Sequence, residues 1–202
     1  MRIIPIYVGI DLSYSSTGLV ILDTKGELFH SEILSSKKVS GLGKNSKADF
    51  DRAIGLAEHI SEVIQTNFEK FDNLTGIITG LEQYAYTPRA GHTYSIGELG
   101  GLVKYFLNAN HTFPIPIAAT QIKKYATNNG RAQKADVMMG IKDRWGVELR
   151  KEGSKNLSDD LSDAYVIARI LYGSRNRDGL PKFQLEIIEK IFGGDSEDTD
   201  NK

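Results

Sequence analysis

The sequence contains no cysteine, which excludes a disulfide scaffold, a thiolate-bound metal and a cysteine nucleophile. It has no apolar run near the roughly 18 residues that a membrane span needs. The opening stretch MRIIPIYVGID lacks the apolar core and cleavage site of a secretory leader. A cytoplasmic protein (host cytoplasm, if viral) with no membrane partner is therefore expected. Histidine is sparse: His30, His59, His92 and His111 are too scattered to form an imidazole metal centre. An excess of charge of one sign is missing too. The 25 Lys and Arg against 26 Asp and Glu leave a formal charge of −1, which excludes a globally basic coat for nucleic acid.

What is present suits one mixed domain. A chain of 202 residues, 40% of them apolar, can bury one good core. A single domain is expected over residues 1–193, followed by an acidic, disordered tail over 194–202. Ile6–Ile10 is β-branched and aromatic and runs into Asp11. Thr17–Leu22 and Leu28–Leu34 follow across short polar turns, so three strands form an antiparallel meander. Ser35–Ser46 reads as an exposed loop. Apolar residues at helical spacing then predict a helix over Ala48–Phe68. Gly76–Leu81 is a short buried strand running into Glu82, Thr93–Leu107 a glycine-bearing helix, and Ile115–Ala118 a fifth strand. Helices are expected over Thr120–Tyr125, Ala132–Trp145, Asp160–Tyr172 and Pro181–Phe192. A meander followed by α/β crossovers means an α/β fold, a mixed five-stranded sheet flanked by helices.

Carboxylates fall at telling places in this pattern. Asp11 closes the first strand with Gly9 two residues before it, and Glu82 closes the fourth with Gly80 two before it. Ligands in open α/β sheets sit outside such strand ends. Asp160 and Asp163 are three apart, so on a helix they share a face. Each has an ordinary alternative: a strand-end turn former, or an N-cap at Asp160 with Asp163 as its reciprocal partner. Converging at one point, four carboxylates would repel one another and raise each other's pKa unless cations neutralised them. Hard divalent cations with oxygen ligands do this, and a pair of them can clamp both oxygens of an in-line phosphoryl displacement.

In that order along the chain, Gly9-Ile10-Asp11 with Thr17-Gly18, Leu81-Glu82-Gln83, Lys123-Lys124-Tyr125-Ala126-Thr127 with Gly130-Arg131-Ala132-Gln133-Lys134, and Asp160-Leu161-Ser162-Asp163-Ala164 resemble the motifs of RuvC-type Holliday junction resolvases. The resemblance spans about residues 5–172. It implies an RNase H-like fold, a homodimer, and a crossover junction endodeoxyribonuclease acting in DNA recombination and repair and leaving 5′-phosphate ends. It further implies two Mg²⁺ ions per site, with Mn²⁺ able to substitute. Asp11, Glu82, Asp160 and Asp163 match the family's catalytic and metal-binding carboxylates. Lys134 matches a basic residue near the scissile phosphate, and Lys123 or Lys124 one that contacts DNA backbone. Leu12-Ser13 stands where bacterial members have Pro-Gly, and Ala85 where they often have an intruding aromatic, with Tyr84 and Tyr86 on either side. These departures suit the divergent bacteriophage members.

The neutral total charge hides an uneven distribution. Gln121–Lys155 holds nine basic and four acidic residues, a net of +5, whereas Asp195–Lys202 has a net of −3. Beside a carboxylate site the basic stretch reads as a phosphate track, with Arg131 and Lys134 one turn apart; elsewhere it would be a solvated face. Tyr84, Tyr86 and Arg89 interleave aromatic and basic character, as stacking on unpaired bases at a branch point requires. Packing of that loop on the core is the alternative. The glycines of Thr93–Leu107 fit either a dimer contact or close packing on the chain's own sheet. Expected partners are thus four-way junctions, with forks and three-way junctions as related branches. A ribonuclease H acting on RNA–DNA hybrid and a non-catalytic junction binder are the rival functions. An actin-like ATPase is disfavoured, because it needs two such domains around its nucleotide.

Overall fold

A computed structural model describes residues 4–36, 46–72, 76–83 and 90–193, with the backbone alone at 46–48 and 90–94. The strands are β1 (Pro5–Asp11), β2 (Thr17–Leu22), β3 (Leu28–Leu34), β4 (Gly76–Glu82) and β5 (Ile115–Ile117). The helices are α1 (Ser46–Phe68), α2 (Ala90–Ala109), α3 (Ala119–Thr127), α4 (Lys134–Trp145), α5 (Asp159–Arg175) and α6 (Lys182–Phe192). The sheet order is β3-β2-β1-β4-β5. β1, β2 and β3 pair antiparallel as the short turns dictate, and β4 and β5 add in parallel through helical crossovers.

Period-two alternation in β1 sorts its side chains between two cores. Ile6, Val8 and Ile10 pack on one face with Ala53, Leu56, Ile60 and Ile64 of α1 and Leu99, Val103 and Leu107 of α2. Tyr7 lies on the other face, with α5 and the buried residues of α3, α4 and α6. α5 is buried nearly all round, from Leu161 to Leu171, because it lies between the sheet and that outer layer.

Gly9 and Gly80 explain how close it lies. A Cβ on Gly9 would sit 1.9 Å from the Ala164 carbonyl oxygen, and one on Gly80 2.6 Å from the Ile167 side chain. With only hydrogen there, the helix backbone rests directly on β1. Each glycine shares a sheet face with the acid two residues later, so the gap that admits α5 also aims the acids at its first turns.

The helix starts each fall one to three residues from expectation, and two of these differences matter for the site. α4 begins at Lys134 rather than Ala132: Ala132 is buried in the core, and the Gln133 backbone N–H donates to Asp136 Oδ2 at 2.9 Å. α5 begins at Asp159, and its N-cap is Ser158, whose Oγ accepts from the Leu161 N–H at 3.3 Å. The capping role weighed for Asp160 therefore belongs to Ser158, which frees Asp160 for another partner. The acidic tail and most of the Ser35–Ser46 loop lie outside the described residues.

Candidate active site

β1 and β4 run parallel with Ile10 opposite Leu81, so their terminal acids Asp11 and Glu82 are neighbours across the ladder. Asp163, in the second turn of α5, reaches the same point. One carboxylate oxygen from each of the three lies within 4.8 Å of the others, and all three residues are half-buried. Burial pushes the Asp11 carboxyl far above the usual carboxylate range; its hydrogen bond with Glu82 and the charges of Glu82, Asp163 and Asp160 push it further. Asp163 is raised to about 7, chiefly by burial and then by Glu82, against the opposing pull of Lys134 and Lys123. Three carboxylates this close cannot all ionise at neutral pH without a compensating cation. The donor set is oxygen only, which fits a hard divalent cation.

Asp160 does not join those three. Its carboxylate accepts a hydrogen bond from Ser16 Oγ in the β1–β2 turn. That turn is tied by its own hydroxyls: the Ser16 N–H donates to Ser13 Oγ at 3.0 Å, and the Ser13 N–H to buried Thr17 Oγ1 at 3.2 Å. Ser16 is a contact that sequence reasoning missed; its only signal was a run of turn-forming serines.

The basic residues divide. Lys134 Nζ is paired with Asp159, the residue that opens α5, and also feels Asp160 and Asp163. Lys123 lies near enough to lower the Asp163 pKa, whereas Lys124 turns away to Glu186 of α6 at 3.2 Å. Arg131 is exposed in the turn before α4, so it and Lys134 do not share a helix. Farther out, Lys142 and Arg150 both bind Glu148 at 2.7 Å, and Arg144 Nε donates to the Ala126 carbonyl at 2.7 Å. Part of the +5 stretch is thus spent inside the protein. Tyr84, Tyr86 and Arg89 lie outside the described residues.

On α2, a Cβ added at Gly97 or Gly101 would meet nothing within 4 Å among the described residues. Close packing on the chain's own sheet is therefore not what these two glycines serve. Among the described residues no helix is long and apolar enough to cross a membrane.

No protein-family model and no curated protein sequence matches the chain. Solved structures do. Thermus thermophilus RuvC in complex with a Holliday junction substrate matches with a TM-score of 0.61 at 16% identity, over 85% of this chain and 95% of that one. Thermus thermophilus RuvC matches with a TM-score of 0.55 at 18% identity, over 85% and 96%. The yeast mitochondrial Holliday junction resolvase matches with a TM-score of 0.50 at 13% identity, over 92% and 80%. The five-stranded mixed sheet with its flanking helices is the RNase H-like fold of the RuvC resolvases.

Proposed function

We propose that this chain is a metal-dependent, structure-specific endodeoxyribonuclease that nicks Holliday junctions and related branched DNA, of the divergent bacteriophage kind. The observation that carries this reading is the convergence of Asp11, Glu82 and Asp163 within 4.8 Å, at the strand ends of a fold shared with junction resolvases.

Asp11, Glu82 and Asp163 would hold Mg²⁺, two ions per site with Mn²⁺ able to replace them, and Asp160 would complete the set from its Ser16 contact. What such ions supply when bound is Lewis-acid stabilisation of charge on phosphoryl oxygens at neutral pH. Asp11 is the most rigidly placed of the acids, because a paired strand fixes its backbone. Lys134 offsets negative charge that develops on the phosphate. Lys123 and Arg131 bind the flanking backbone, with Lys124 engaging only by leaving Glu186. Tyr84, Tyr86 and Arg89, beyond the Glu82 strand, stack on and contact bases at the branch point.

Two symmetric nicks call for two sites, so a homodimer is part of the proposal. Gly97 and Gly101, open on α2, support a close helix contact there. Sedimentation of wild type against Gly101→Arg should show a dimer and a monomer.

The deciding experiment presents labelled four-way, three-way, duplex and RNA–DNA hybrid substrates, with and without Mg²⁺. Mg²⁺-dependent symmetric nicks in the four-way junction are expected. Preferential cleavage of the hybrid's RNA strand would replace this reading with a ribonuclease H. Tight junction binding without cleavage in any divalent ion would replace it with a junction binder.

A further inference from the structure

We propose that Asp159 is a positioning residue for Lys134, holding its ammonium beside the carboxylate site when cations are bound there. The inference rests on the nuclease reading above and deepens it. Lys134 is the first residue of α4 and Asp159 the first of α5, and their side chains form an ion pair across the two helix starts.

Little else keeps the ammonium in place. The helix N-terminus it stands on carries positive partial charge, which disfavours a cation. The lysine stem is long and flexible, and the side chain is 66% exposed. Asp160 and Asp163 attract Lys134 in the metal-free protein, but divalent ions bound to them would cancel that attraction. Asp159 is not among the three acids that converge. It is the carboxylate whose hold on Lys134 survives metal binding. An ion pair this exposed contributes little to stability, so its consequence is the position of one charge.

The test compares Asp159→Asn, Asp159→Glu, Lys134→Met and the double variant Asp159→Asn/Lys134→Met in single-turnover cleavage of a four-way junction. Asp159→Asn should slow cleavage about tenfold, as loss of a supporting contact does, with junction Kd within about twofold. Its Tm and its affinity for Mn²⁺ alone, by calorimetry, should match wild type. Asp159→Glu should restore most of the rate. In the Lys134→Met background Asp159→Asn should add no further loss, since it acts only through that lysine.

Equal losses in both backgrounds, a wild-type rate in Asp159→Asn, or weakened Mn²⁺ binding would each overturn the inference; the last would make Asp159 a metal ligand. If Lys134→Met cleaves like wild type, the lysine's role falls and this inference with it, while the nuclease reading stands. A wild-type protein that cleaves no branched DNA would remove both.

Discussion

Two acidic groups in this molecule are built on opposite plans. Glu148 is an exposed side chain between two cations, Lys142 and Arg150, each at 2.7 Å. Those partners hold its carboxyl down to about 2. Asp11 is half-buried among other carboxylates, and its carboxyl is driven far upward. The first arrangement is complete as it stands. The second is stable only with protons or cations added, and the fold enforces it anyway by seating α5 on Gly9. Frustration held in place by packing marks a site built for something other than stability.

The most severe way to break the contrast is Asp11→Asn. It removes one carboxylate of the converging three while keeping its shape. Cleavage should fall by at least about 1,000-fold, the scale of losing a central electrostatic group, while junction binding persists in gel shift. Wild-type cleavage in this variant would end the site assignment.

Next comes the packing that enforces the frustration. Gly9→Ala would put a methyl 1.9 Å from the Ala164 carbonyl oxygen, a backbone atom that can yield only if α5 shifts. A loss of about 3 kcal/mol is expected, with cleavage falling as Asp163 moves out of line. Gly55→Ala is the control: it lies within α1, and its Cβ meets nothing within 4 Å among the described residues. That change should stabilise by about 1 kcal/mol. Urea denaturation of the pair separates a tight seat from general intolerance of alanine.

A smaller effect is the pH dependence of the metal-free protein. An unfolded aspartate loses its proton near pH 4, whereas folded Asp163 keeps its proton to about 7 and Asp11 beyond that. Between those limits the folded state binds more protons than the unfolded, so stability falls as pH rises. From pH 5 to pH 8 a drop of about 5 °C in Tm is expected. Mn²⁺ should recover it at pH 8 and do little at pH 5, where protons already fill the role. A flat Tm profile would mean the carboxylates do not share a site.

How far the sequence carried depended on whether a feature was local. Asp11 and Glu82 were legible because a glycine two residues before an acid at a strand end is a pattern within one strand. The i,i+3 pair on α5 was legible as a pair, but not which member would join the cluster. That depends on the rotation of α5, which Ala164 and Ala168 settle against Gly9. The result brings Asp163 inward and leaves Asp160 to Ser16. The Lys134–Asp159 pair joins the starts of two helices 25 residues apart, and nothing in either segment announces it. Charge counting overstated the basic track for the same reason: Glu186 and Asp159, which pair with Lys124 and Lys134, lie outside the Gln121–Lys155 stretch.

The mildest test lies at the other pole of the comparison. Glu148→Gln removes the well-paired carboxylate and leaves Lys142 and Arg150 without it. An exposed, solvent-screened pair contributes little to folding, so Tm at pH 7 should not move. The depressed carboxyl contributes what stability it has above about pH 4 and loses it as pH falls toward 2, so any difference from wild type should shrink in acid. Cleavage should be unchanged, because Glu148 is not among the acids that converge with Asp11 and Glu82. Two freed cations should tighten junction binding about twofold at low salt, and the gain should vanish near 0.15 M as screening sets in. A large gain that persists at high salt would place this surface in direct contact with phosphate. A loss of cleavage would mean that the two acidic groups, so unlike in their electrostatics, serve one site after all.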